Sequence, residues 1–343
     1  MTAGGAPLLV CGHANVETVL RLDTPALDAA GSVLPDGLSL NVSGVGVNLL
    51  RGLVALGSAA RLLTRLGDDV AGRTVRAELR AHDLRVVPAR ATAQTLAVTR
   101  PDGTHVFHRD PKDHADAPAP HDAFRAALPA CRATLMTNVG WTRDLLPAAR
   151  AAGVPILTDV QELTAPDHSY DQPYLRAADV LLLSAARLPD PAAALRALGA
   201  RARADVIVAG LGGGGALLWT RDTGGVHHQP PFPVPVRHAG GAGDALAAAF
   251  AHFLFTRGLP PQEALRLACA AAALKLRGAG SGEGHATEPE VRALAGGPPG
   301  TVGCRTAMCR RMRGDRTRNA AWQRGRPGSG DGRASGTSAD ARK

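Results

Sequence analysis

The sequence predicts an α/β protein, a three-layer αβα sandwich around a mostly parallel central sheet, with a small β lid. Three observations carry this reading. Short apolar runs alternate with longer helix-period segments along most of the chain, the pattern of strand–helix–strand units whose sheet is covered on both faces. Residues 16–42 and 95–110 break that alternation and read as the pieces of a lid over one sheet edge. Finally, Gly241-Ala242-Gly243-Asp244 runs directly into the apolar segment Ala245 to Phe255. In that segment Leu246, Phe250, Phe253 and Leu254 recur at the spacing of a helix with one buried face.

Taken in order, Leu8 to Cys11 reads as a strand, Asn48 to Leu56 as a helix closed by Gly57, and Ala60 to Leu63 as the next strand. Gly72 to His82 is again helical. Leu96 to Thr99 and Thr104 to His108 flank Pro101-Asp102-Gly103, a hairpin signal. Thr134 to Thr137, Pro155 to Asp159, Val180 to Ser184 and Asp205 to Ala209 read as buried strands, with Ala- and Leu-rich helices between them. Periodicity stops at Gly296. Residues 1–297 therefore form one folded domain, and 298–343, rich in Gly, Arg, Ser and Pro, form a basic disordered tail.

Charge supports the same division. The tail holds 11 Arg or Lys against 3 Asp, a net of +8 out of +9 for the whole chain, so the body is nearly neutral and shows no nucleic-acid footprint. Only three residues are lysine (Lys112, Lys275, Lys343), the remaining basic side chains being arginine. Five cysteines, at 11, 131, 269, 304 and 309, have neither the pairing of a disulfide framework nor the spacing of a zinc site. Met1 to Leu9 lacks the charge and apolar length of a signal peptide, and no apolar run reaches membrane-spanning length. A cytoplasmic location is the expectation.

At the Gly241–Asp244 stretch the chemistry becomes specific. Backbone N–H groups at a helix N-terminus have no intrahelical partner, and the dipole there favours negative charge, which makes an anion site. A carboxylate in that first turn is placed to take a proton from a hydroxyl attacking a phosphate. A plainer reading, a tight turn with Asp244 as cap, fits the same four residues.

Other motifs favour the first reading. Gly12-His13-Ala14-Asn15-Val16-Glu17, Gly44-Val45-Gly46-Val47-Asn48, Leu56-Gly57, Gly67-Asp68-Asp69-Val70-Ala71-Gly72 and Gly241 to Asp244 follow one another in a fixed order. In that order they resemble the ribokinase-like (PfkB-type) carbohydrate and nucleoside kinases, across about residues 8 to 290. The resemblance implies the ribokinase-like fold and ATP-dependent phosphorylation of a hydroxyl on a small sugar or nucleoside. It implies Asp244 as general base and the N–H groups of Gly241, Ala242 and Gly243 as anion hole. Asn15, Glu17, Gly44, Gly46 and Asn48 become substrate residues, while Gly212, Gly215 and Ser184 stand beside ATP. Magnesium is implied with the nucleotide, and a homodimer through the lid is the assembly to expect.

Departures from the family pattern are specific. Glu17 stands for an Asp, and Ser43 for the first of two substrate-loop glycines. His238-Ala239 replaces an Asp-Thr pair that helps shape a monovalent-cation site, so the potassium that the resemblance implies loses part of its site. Ser184-Ala185-Ala186-Arg187 replaces Asn-x-x-Glu, whose Glu organises magnesium-bound water. Asp159 and Glu162, expected on the loop after the preceding strand, are the nearest acidic candidates for that task. Loss of this motif keeps a non-catalytic sugar- or nucleoside-binding relative in play.

Gly210-Leu211-Gly212-Gly213-Gly214-Gly215 also satisfies the dinucleotide fingerprint of an NAD-dependent oxidoreductase. That fingerprint must open a helix, however, and Ala216 to Thr220 reads as a strand.

A chain ending at Gly297 should keep its melting temperature, because the deleted part has no apolar periodicity to join a core. It should lose only salt-sensitive retention on a polyanion column. A large fall in melting temperature would show instead that the tail packs on the body.

Overall fold

In β1 (Leu8–Cys11), Leu8 and Val10 pack to one side and Leu9 and Cys11 to the other, and all four are fully buried. A strand apolar on both faces belongs at the centre of a covered parallel sheet, and β1 lies there. The computed structural model describes residues 5–22, 31, 34, 36–100, 105–163, 169–185, 187–278 and 280–296. The tail at 298–343, Cys304, Cys309, residues 23–30 of the lid stretch and the expected turn at Pro101-Asp102-Gly103 lie outside the described residues.

Next come β2 (Asn15–Arg21), β3 (Leu38–Ser43), α1 (Val45–Ala55), β4 (Ala60–Leu66), α2 (Val70–Glu78) and β5 (Asp83–Pro88). Then follow β6 (Ala93–Thr99), β7 (His105–Asp110), α3 (His121–Ala127), β8 (Ala133–Thr137), α4 (Gly140–Arg143), α5 (Leu146–Ala151) and β9 (Ile156–Glu162). The chain continues through α6 (Gln172–Ala177), β10 (Val180–Ser184), α7 (Pro191–Arg201), β11 (Val206–Gly210), β12 (Ala216–Thr220) and β13 (Val226–Gln229). It closes with α8 (Ala242–Ala251), α9 (Pro261–Lys275) and α10 (Glu288–Ala295).

The large sheet runs β13-β12-β11-β10-β9-β8-β1-β4-β5. Strands β5 to β11 in that row are parallel, and β12 and β13 add an antiparallel edge. From β1 the chain first builds outward to β4 and β5, then returns to β8 on the other side. That reversal is where open α/β sheets place their ligand crevice, at the strands' carboxyl ends. Helices α1, α8, α9 and α10 cover one face and α3, α5, α6 and α7 the other, giving the expected three layers.

The lid is the second sheet, in the order β3-β2-β6-β7. The register aligns Glu17 with Asn41 and Thr95, and Thr95 with Arg109, on one face. The opposite face carries exposed Leu38, Leu40, Leu96 and Val106. Asp69 joins the two sheets: it caps α2 by accepting from Gly72 N at 2.7 Å and accepts from Thr92 N, just before β6, also at 2.7 Å.

Several boundaries differ from the sequence expectation. Helix α1 begins at Val45, three residues early, because Gly44 with φ 106° is its cap. Helix α2 runs from Val70 to Glu78 because its cap is Asp69. Strand β5 was not expected at all: it is an edge strand whose residues are half-buried or exposed and none fully buried, so it shows no clear alternation. The expectation of one buried face for Ala245 to Phe255 is also corrected. Helix α8 starts at Ala242, passes into a π turn at His252–Thr256, and is buried nearly all round between α1, α9 and the sheet. The π turn shifts the register, so Phe253, Leu254 and Phe255 are all buried.

Small residues set how closely α1 and α8 approach. A Cβ added at Gly52 would lie 2.8 Å from the Ala248 Cβ and 3.4 Å from His285 Nδ1. Gly52→Ala should thus lower stability by about 1–2 kcal/mol, overpacking outweighing the better helix propensity of Ala. A thermal melt should read this as a drop of about 3–6 °C. An unchanged or higher melting temperature would show that the helices separate without cost.

Candidate active site

Helices α1 and α8 lie side by side with their N-termini at the carboxyl ends of the strands. One turn above Gly52 is Asn48, and one turn above Ala248 is Asp244. The close approach at the lower turn brings the upper pair together: Asn48 Nδ2 donates to Asp244 Oδ2 at 2.7 Å. Asn48 is buried, and its side chain does not cap α1, whose cap is Gly44. Asn48 Oδ1 is buried without a hydrogen-bond partner, so the amide keeps an acceptor for a ligand.

Asp244 sits in the first turn of α8, and the cap at Gly241 makes no side-chain hydrogen bond. Gly241 is left-handed, with φ 79°, and a Cβ there would lie 2.5 Å from Ser281 O. Only glycine fits that backbone. A Cβ at Gly243, in contrast, would meet nothing within 4 Å, so this side of the N-terminus is open. Desolvation by burial pushes the Asp244 carboxyl up to about 7. The Asn48 hydrogen bond and the Lys275 charge pull it down, while the charges of Asp159 and Glu17 add to the rise. Asp159 on β9 is likewise pushed up to about 6 by burial, against a hydrogen bond from Gln161 N at 2.8 Å. Side chains from five elements, α1, α8, α9, β2 and β9, thus act on one poorly solvated anionic spot at the start of α8.

Glu17 and Asn15 reach the site from β2. Both are buried, and Asn15 Nδ2 donates to Thr95 Oγ1 of the lid at 2.6 Å while Asn15 Oδ1 has no partner. Gly44 and Gly46 stand where β1 leaves the sheet. A Cβ at Gly44 would lie 2.7 Å from His13 O, and one at Gly46 2.7 Å from Gly12 C, so these glycines let α1 cross the chain's own β1–β2 connection. His13 contacts His114 edge to face, with ring centroids 5.2 Å apart, and burial first, then His114 and Arg109, push its imidazole down to about 4.

On the other flank, Ser184 ends β10 in register with Glu162 and Gly210. Asp159 and Glu162 are both inside β9 rather than on the loop after it, because that strand continues to Glu162. Glu162 Oε1 pairs with Arg187 Nε at 2.9 Å on the surface, which occupies one of the two acids proposed for magnesium. Gly212 to Gly214 form a single 3-10 turn, and nothing within 4 Å would meet a Cβ at Gly212 or Gly213. Gly215 leads into β12, which is antiparallel to β11, so the glycine run does not open a helix and the dinucleotide reading lacks its context. Among the described residues, no group of three or more His, Cys, Asp or Glu could hold a metal ion by itself. No helix among them is long and apolar enough to cross a membrane.

Sequence reasoning did not assign a role to Lys275. Its side chain is fully buried below the Gly241 turn, where its Nζ donates to Gly280 O at 2.7 Å and Gly240 O at 3.3 Å. A lysine at the end of a helix is ordinary, so only its burial distinguishes it.

A family profile described as pfkB family carbohydrate kinase matches residues 7–288. Acarbose 7(IV)-phosphotransferase of Actinoplanes sp. is 29% identical over 281 residues, 78% of this chain and 90% of that protein. The bifunctional protein HldE of Rhodopseudomonas palustris is 29% identical over 264 residues, 68% of this chain and 52% of its own length. Among solved structures, a microbiome-derived acarbose kinase superposes with a TM-score of 0.78 at 24% identity, covering 86% of this chain and 100% of that one. Ribokinase of Arabidopsis thaliana, complexed with ribose and ATP, gives 0.72 at 20% identity over 86% and 100%. Both structures have the three-layer ribokinase-like fold found here.

Site electrostatics can be read directly. In protein carrying 13C-labelled aspartate, one carboxyl should titrate near 7 and vanish in Asp244→Asn. Asn48→Ala removes a donor to the charged form, so the same carboxyl should titrate higher. A downward move would show that Asn48 does not stabilise the carboxylate.

Proposed function

The chain belongs to the pfkB family of carbohydrate kinases, and from that premise we propose that it transfers the γ-phosphoryl group of ATP to a hydroxyl of a small sugar or nucleoside. The observation that carries this reading is Asp244, a carboxylate pushed up to about 7 and held by Asn48 at the uncapped N-terminus of α8. A base whose pKa lies near the working pH combines a large ionised fraction with useful proton affinity. Asp244 accepts the proton of the acceptor hydroxyl, and the N–H groups of Gly241, Ala242 and Gly243 stabilise the charge on the group in transit.

Acceptor recognition falls to the groups left with acceptors to offer. Asn48 Oδ1 and Asn15 Oδ1 are buried and unpartnered, the state expected of side chains shaped for hydroxyls. Glu17, buried on the lid's inner face, adds a carboxylate beside them. A sugar bound there is enclosed between β2, β6 and the start of α1, which keeps water from competing as acceptor. The similarity to acarbose 7(IV)-phosphotransferase makes acarbose-like oligosaccharides the first acceptors to try, ahead of free pentoses, hexoses and nucleosides.

The donor side fits a nucleotide phosphate: the α8 N-terminus is open at Gly243, and the turn at Gly212 and Gly213 presents bare backbone. ATP would supply the phosphoryl group, and magnesium bound with it would supply the neutralising charge that N–H groups alone leave. Asp159 is the acid best suited to order water around that ion, since Glu162 is engaged by Arg187. Exposed Leu38, Leu40, Leu96 and Val106 on the outer face of the lid support a homodimer through the lid.

An ADP-release assay across acarbose, sugars and nucleosides tests the activity. With the acceptor identified, Asp244→Ala should lower kcat by about 10² to 10⁴. Its stability should change only slightly, because Asp244 is not the cap of α8. A variant that keeps more than a tenth of wild-type turnover would remove Asp244 as base. Binding of an acceptor without turnover under any divalent cation would favour the non-catalytic relative.

A further inference from the structure

Lys275 is a buried cation that the proposed chemistry does not use. It is the last residue of α9, its side chain is 0% exposed, and it makes no ion pair within 4 Å among the described residues. Burying an ammonium without a carboxylate in contact is costly, and such a group is kept only where its surroundings repay it. Here the surroundings are two backbone carbonyls, Gly280 O at 2.7 Å and Gly240 O at 3.3 Å. Gly240 is the residue before the α8 cap, and Gly280 begins the segment that packs beneath it. A Cβ at Gly241 would lie 2.5 Å from Ser281 O and 3.3 Å from Lys275 Cε, so the lysine stem and Ser281 form the floor of the turn. Ser281 Oγ is buried there without a partner.

Backbone carbonyl oxygens converging on one positive centre are a donor set suited to a small monovalent cation. We propose that Lys275 is a positioning residue whose tethered ammonium replaces such an ion: it locks the Gly240 and Gly280 carbonyls, aims the N–H groups of Gly241 to Gly243, and supports the ionised form of Asp244. The groups that face it agree with this assignment. Asp244 on α8, Glu283 on the loop after α9 and Glu17 on β2 all favour the charged ammonium, against burial, which lowers its pKa. Lys275 in turn pulls the Asp244 carboxyl down, opposing burial, Asp159 and Glu17. His285, pushed down to about 4 by burial and by Lys275 and Arg51, is neutral at physiological pH and adds no competing positive charge.

The kinetic part of the test rests on Asp244 being the base, so a readout free of activity runs beside it. Because the chain has only Lys112, Lys275 and Lys343, 15N-lysine labelling gives three Nζ environments, and Lys275→Met assigns the buried one. At pH 7 it should be a slowly exchanging ammonium, and the Asp244 carboxyl should titrate about one unit higher in Lys275→Met. A neutral amine at pH 7, or an unmoved carboxyl, overturns the proposal whether or not turnover is found. In the kinase assay, wild-type turnover should be unchanged when potassium, sodium and ammonium are all replaced by tetramethylammonium. A requirement for potassium or ammonium would overturn the proposal without any variant having to fold. Lys275→Met should lose about tenfold or more in kcat with a KM change under about threefold, and its acid limb should move up with the carboxyl. Lys275→Ala, which opens the space, should be partly restored by ammonium or potassium and not by tetramethylammonium. A Lys275→Met enzyme with unchanged kcat and pH profile refutes the role, whereas a wild type silent toward every acceptor refutes the kinase reading and leaves the spectroscopic result to decide.

Discussion

The hydrogen bond from Asn48 to Asp244 joins two residues 196 positions apart, and the site depends on it. Neither residue can reach the other unless α1 and α8 pack closely, and they do so because Gly52 and Ala248 meet one turn below. The contact therefore fixes two things at once. It sets the distance between the helix N-termini, hence the width of the space in which an acceptor and a phosphoryl group must meet. It also gives a carboxylate in a poorly solvated place a direct side-chain donor. Without that donor, burial and the neighbouring acids would move the proton affinity of Asp244 further from a useful range.

The layered fold was legible because its central strands carry their own signature. Leu8 to Cys11 and Val180 to Ser184 are almost wholly apolar, as strands covered on both sides must be, and both lie where expected. Edge strands gave weaker signals. Asp83–Pro88 and Val226–Gln229 stand at the two ends of the sheet among the described strands and carry polar side chains, so their composition resembles that of loops. The period of α8 was misleading for a related reason: a helix surrounded on all sides has no polar face to report its orientation, and a π turn shifts what pattern remains.

For the site, residues whose backbone conformation or close approach demands glycine were visible in the sequence, and so was the Asn and Asp pair set among them. The reason for the glycines was only partly visible. Gly44 and Gly46 accommodate the crossing of α1 over Gly12 and His13, a contact between segments some thirty residues apart that spacing alone does not reveal. Charge placement was less legible still. Asp159 and Lys275 act on Asp244 through space, from β9 and from the end of α9, and neither has a local pattern that distinguishes it from an ordinary strand or helix-end residue. Arg187 also reads differently once Glu162 is seen beside it: the charge reversal in that motif is balanced by a surface ion pair.

Asp244 is held between opposing influences rather than by any one neighbour. Burial acts first and strongly, and Asp159 and Glu17 push the same way, while Asn48 and Lys275 push back. Two of these five influences come from the scaffold, namely the closeness of α1 to α8 and the lysine beneath the turn. Two more come from side chains at the mouth of the site, Asp159 toward the nucleotide flank and Glu17 toward the acceptor flank. Anything that binds on either flank and alters the charge of those carboxylates must also alter the proton affinity of Asp244, because the low local dielectric leaves little to screen them. Occupation of both flanks is thereby coupled to the ionisation of the residue that links them, so proton acceptance becomes a property of the filled site.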